Sequence, residues 1–130
     1  MKKIITITLF TLSLMAVFAI GAFAQTLEKI DEYGAVNAEV ESARLDAFTV
    51  AVHNGPDNKG YVIVYGGSGR GNSAKSIIKR TRHYLVKIRR IDAAHLVTIN
   101  GGRRESQTVE LWLVPPGAAP PTPTVKTKKD

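Results

Sequence analysis

Tyr61-Val62-Ile63-Val64-Tyr65 decides the architecture. Five consecutive β-branched or aromatic residues, with no polar alternation, read as a central strand covered on both faces.

Upstream, Asn54-Gly55-Pro56-Asp57-Asn58 is turn chemistry. Before it, Leu45, Phe48 and Val52 recur at spacings of three and four, which predicts a helix with one apolar stripe. Asn37 is placed to cap its start, and Glu39 and Glu41 suit the positive end of its dipole. Thr26 to Glu32 reads as a short strand ending at Tyr33-Gly34. Downstream, the loop Gly66-Gly67-Ser68-Gly69-Arg70-Gly71-Asn72 leads into the clearest helix. Its stripe is Ala74, Ile77, Ile78, Thr81, Leu85 and Ile88. His95 to Ile99 reads as a strand closed by Asn100-Gly101-Gly102. Thr108 to Val114 is the last strand, with Val109, Leu111 and Leu113 on one face. Glu110 and a half-exposed Trp112 take the other. The order β-α-β-α-β-β predicts an α+β fold, a two-layer sandwich of a mixed sheet with both helices on one face. A short Gly- and Arg-containing turn predicts the last two strands as antiparallel neighbours.

The two ends of the chain differ from this middle. Lys2 and Lys3, an apolar run from Ile4 to Gly21, and Ala22-Phe23-Ala24 before Gln25 give residues 1–24 the pattern of a cleaved secretory signal. The folded domain is then expected within residues 25–114. Residues 115–130 hold five of the six prolines, then Lys126, Lys128 and Lys129, and read as an extended, disordered tail. The chain of 130 residues carries +7, which falls to +5 without Lys2 and Lys3. With no Cys there is no disulfide framework, thiolate zinc site, Cys nucleophile or Cys-linked lipid. The expected location is periplasmic or secreted, in a bacterial envelope, without a stable membrane anchor after cleavage.

The Gly-rich loop comes within one residue of a phosphate-binding P-loop, but Asn72 stands where that motif needs its Lys. His53, His83 and His95 lack metal-ligand spacing. There is no Gly-x-Ser-x-Gly elbow, and Asp31 and Glu32, adjacent on a strand, point to opposite faces. We therefore expect no enzyme, no cofactor and no metal. What stands out is charge. Arg70, Lys75, Lys79, Arg80, Arg82, Lys87, Arg89 and Arg90 fall in one segment without an acid. That segment is a candidate anion-binding face for an anionic glycan, lipopolysaccharide or phospholipid heads. An exported chain without an aromatic-basic stacking platform is not expected to bind nucleic acid.

The ordered pieces resemble an OmpA-like domain, from about Glu28 to Val114. They are Lys29-Ile30-Asp31-Glu32-Tyr33, Ala43-Arg44-Leu45-Asp46-Ala47-Phe48, Tyr61 to Gly66, Tyr84-Leu85-Val86 with Ile91 to Leu96, and Thr108-Val109-Glu110-Leu111. The resemblance implies a cell-envelope module that holds peptidoglycan through an Asp and an Arg on a diaminopimelate end. Here those two positions fall on Ser68 and Ile77, so neither charge is present. The expectation is an OmpA-like scaffold with its standard site lost, in a non-enzymatic structural or binding role. Its partner would be a cell-wall or other anionic envelope component, or an envelope protein. The alternative is a polyanion-binding protein acting through the basic second helix.

Overall fold

The computed structural model describes residues 26–124. The signal reading over residues 1–24, and Lys126, Lys128 and Lys129 of the tail, lie outside the described residues. The elements are β1 (Glu28–Tyr33), α1 (Ala38–Asn54), β2 (Lys59–Gly66), α2 (Ala74–His83), β3 (Leu96–Arg103) and β4 (Thr108–Val114). The strands form one mixed sheet in the order β1-β4-β2-β3. The α+β two-layer expectation holds. α1 packs on β1 and β4, and α2 packs on β2 and β3.

Local chemistry explains the helices. Asn37 caps α1, its side chain accepting from Val40 N at 2.9 Å. Leu45, Phe48 and Val52 are buried, as their spacing requires. They meet Val62 and Val64 of β2, Val109 and Leu111 of β4, and Ile77 and Leu85 of the second helix in one core. Ser73 caps α2 through Ser76 N, 3.2 Å. The sequence stripe on α2 overreaches by its last member, since Ile88 is exposed. After His83 the backbone widens to a π-helical turn over Tyr84–Ile88. That winding carries Ile88 off the stripe, and Ile91 fills the core instead. The turn closes with Arg90 in the left-handed region, φ 63°.

Two expectations about the strands are corrected. β3 and β4 are not neighbours. β4 inserts between β1 and β2, antiparallel to both, while β3 runs parallel to β2 at the edge. The connection Arg104–Gln107 therefore crosses the end of β2, where Arg104 N donates to Gly66 O at 2.8 Å. Glycine is required below that crossing: a Cβ on Gly67 would lie 2.8 Å from Gln107 N. Nor does Asn100-Gly101-Gly102 close β3, which continues to Arg103. Gly101 lies under the Tyr65 ring, where a Cβ would come within 2.5 Å.

The face of the sheet turned from the helices is also covered. Ile63 and Tyr65 are fully buried, and Glu110 is only 4% exposed. The cover is the segment expected to be disordered. From Pro115 the chain turns, with Ala118 N donating to Pro115 O at 3.1 Å and Gly117 at φ 80°, and runs back across the sheet. Pro121 is buried, and Thr124 N donates to Tyr65 Oη at 2.9 Å. We call residues 118–124 the strap. It is extended, as its prolines require, but through Thr124 it is packed rather than free.

Two stability predictions follow from the packing. Tyr33 Oη is buried without a hydrogen-bond partner among the described residues. Burial, and secondarily Glu41, push its phenol well above the ordinary value of 10.0. The folded state keeps this proton where the unfolded chain loses it, so stability is full below about pH 10 and falls as pH rises above it. Tyr33→Phe should be neutral or stabilising by up to ~1 kcal/mol at pH 7, and should flatten the alkaline decline in urea midpoints. Gly101→Ala should destabilise by roughly 1–3 kcal/mol in urea unfolding, because the Tyr65 ring is held from both sides.

Candidate functional site

The eight candidate cations do not form one patch. Two are tied to α1. Arg80 Nε donates to Glu41 Oε1 at 3.1 Å. Arg89 donates to Asp46 Oδ2 at 2.7 Å and to Tyr84 Oη at 3.0 Å, while Tyr84 donates to Asp46 Oδ1 at 2.6 Å. The hydrogen bond to Tyr84, then that to Asp46, raises the Arg89 guanidinium above its ordinary range. These pairs join the two helices along their outer seam. That seam borders a shallow hollow of about 420 Å³ between Val36, Leu45, Arg80 and Tyr84.

The other six are different. Arg70, Lys75, Lys79, Arg82, Lys87 and Arg90 have no carboxylate within salt-bridge distance among the described residues. Lys75, Lys79 and Arg82 follow at i, i+4 and i+7, so they line one face of α2. Arg82 leans toward β3, its Nη1 3.5 Å from Leu96 O. The stripe leads at its upper end into a hollow of about 430 Å³ at the carboxyl ends of the parallel pair β2 and β3. Gly66, Gly69, Gly71 and Ser73 form its floor, with Lys75 and Arg103 at its sides. No acidic residue lines it, and the first turn of α2 carries none. Sequence reading missed Arg103, because its place beside the loop depends on β3 running past Gly101-Gly102 and pairing with Gly66.

The two positions singled out by the OmpA-like resemblance are not brought together. Ser68 is exposed at the loop, its hydroxyl 3.4 Å from Glu105 O. Ile77 is fully buried in the core, facing away from solvent. His53, His83 and His95 are exposed on separate elements. Among the described residues no group of three His, Asp or Glu could hold a metal. No helix among them is long and apolar enough to cross a membrane. The chain matches no family model, no curated protein and no solved structure.

The arrangement can do one thing by simple physics, which is to hold an extended anion. Lys75, Lys79 and the half-buried Arg82 lie along one face of a single helix that leads to a cationic hollow, so their potential adds along a line. Arg90 belongs to this set by charge but also bears a backbone cost as a non-glycine residue at positive φ. Arg90→Gly should raise stability by about 0.5–1 kcal/mol in urea unfolding.

Proposed function

We propose that the protein is an exported, non-enzymatic module of the cell envelope that holds a polyanion on the outer face of α2. The observation that carries this reading is the division among the cations. Arg80 and Arg89 are neutralised by α1, whereas Lys75, Lys79 and Arg82 are left in line without acid partners and run into the hollow beside Arg103. Long unpaired cations kept on one face repel one another in the free protein, and a bound polyanion relieves that repulsion. Export rests on the sequence pattern of residues 1–24 and places the protein among anionic glycans and lipids. The element order β-α-β-α-β-β supports an OmpA-like reading of the scaffold. The absence of acid and arginine at Ser68 and Ile77 argues that such a scaffold works here without the diaminopimelate contact.

The test uses the full chain, with heparin, lipopolysaccharide and phosphatidylglycerol vesicles as separate probes. Binding should fall steeply as salt rises, since exposed charges are screened over about 8–10 Å at 0.1–0.15 M salt. Lys75→Gln, Lys79→Gln and Arg82→Gln together should cost about 100-fold on vesicles, at about 1 kcal/mol per cation. Arg80→Gln with Arg89→Gln should cost far less. Equal losses from the two sets, or salt-independent binding, would overturn the proposal. The ranking of the three probes identifies which anion the face prefers.

A further inference from the structure

The strap closes a second site on the opposite face of the sheet. Its centre is Arg104, whose side chain is 5% exposed and whose guanidinium lies flat on the Tyr65 ring, 3.4 Å from the centroid. Around it stand Glu110 at 3.8 Å and Glu32 at 4.0 Å. Glu110 also accepts from Trp112 Nε1 at 3.0 Å and lies 3.9 Å from Lys29 Nζ, which sits over the Trp112 ring. Two cations and two carboxylates balance within this cluster, so it needs no charge from the strap.

What the strap supplies is backbone. Arg104 Nη2 donates to Thr124 O at 2.7 Å and to Thr124 Oγ1 at 3.0 Å, and Tyr65 Oη accepts from Thr124 N at 2.9 Å. The amide and carbonyl of one residue are thus read together, from opposite sides. The carboxylates are too distant to hydrogen-bond the guanidinium. Its short side-chain hydrogen bonds among the described residues all go to Thr124. Ahead of Thr124, Pro120, Pro121 and Thr122 border a hollow of about 340 Å³ with Leu27, Lys29, Glu110 and Trp112. Among the described residues Arg104 Nε remains buried without an acceptor. The strap therefore leaves one donor of the site unused.

We infer that this face is a binding groove for an extended, uncharged, proline-rich peptide, and that the chain's own strap occupies it as an internal competitor. The Trp112 ring beside Pro120 and Pro121 suits a polyproline helix, whose low conformational entropy limits the cost of docking. Main-chain recognition at Tyr65 and Arg104 fixes its register, and the balanced charges exclude an acidic or basic occupant. The groove is separate from the α2 face, so either assignment stands without the other.

The probe is an acetylated, amidated peptide with the sequence of residues 117–124, Gly-Ala-Ala-Pro-Pro-Thr-Pro-Thr. A tethered strap competes at an effective concentration on the order of millimolar, so the unaltered full chain should bind this peptide weakly. The full chain carrying Pro121→Ser and Thr124→Pro loses the buried ring and the amide that Tyr65 holds. It should bind at least tenfold more tightly. Adding Tyr65→Phe should weaken that binding by about five-fold, the worth of one hydrogen bond, and excess heparin should leave it unchanged. Thr124→Pro alone serves if the double variant melts early. A folded strap variant that takes up no peptide, or binding indifferent to Tyr65→Phe, would overturn the assignment. So would concentration-dependent dimers of the unaltered chain with no peptide uptake by the variant, which would mark strap exchange between copies.

Discussion

β2 is apolar on both faces, and the rest of the structure is arranged to cover it twice. Val62 and Val64 turn toward the helices; Ile63 and Tyr65 turn the other way; all four are fully buried. Burying each such side chain contributes about 1.5–3 kcal/mol, so leaving either face open would forfeit much of the margin of a small domain. Both helices lie on one side of the sheet. The second cover has to come from elsewhere, and the proline-rich strap provides it without adding a strand. Its prolines, lacking N–H groups, make few demands for hydrogen bonds on a surface that offers few.

Charge is distributed to serve these two covers. Arg80 and Arg89 bind acids of α1 and hold the helices side by side. Arg44 does the same between α1 and β1, meeting Asp31 at 2.7 Å. On the far face Arg104 is buried at a desolvation cost of several kcal/mol, offset by Glu110, Glu32, the Tyr65 ring and Thr124. What is left over is the row on α2. The cationic face is thus a residue of the folding chemistry: among the described residues, these basic side chains meet no carboxylate.

The sequence reveals what local periodicity and capping control. Asn37, the Leu45–Phe48–Val52 stripe and the limits of Thr108–Val114 could be read directly, because each depends on neighbours within a turn or two. The pairing of β4 could not. A four-residue connector looks like a hairpin, and only the glycine at 67, small enough to let Gln107 pass over it, signals a crossing. The strap was hidden for a related reason. Proline density shows that a segment will not form helix or ladder, but it is silent on whether a sheet face awaits it. The clue was Glu110 and Trp112 alternating with apolar residues on a strand flanked on both sides, a half-polar face in the interior of the sheet. For the α2 face, composition identified the cations, while their division into paired and free sets required the position of α1.

Arg103 and Arg104 show how closely the two surfaces are linked. Adjacent residues leaving a strand point to opposite faces. Arg103 lines the hollow at the head of α2, and Arg104 lies against Tyr65 under the strap. The bulge that shifts β3 from Asn100 to Gly102 opposite Val64 and Tyr65 sets this phase. Without that extra residue the two arginines would exchange faces, burying Arg103 and turning Arg104 to the hollow. Gly101 allows the Tyr65 ring to lie across the strand, and Gly102 takes the positive φ, 95°. The Gly-Gly pair that looks like a strand terminator is the element that assigns one arginine to each face.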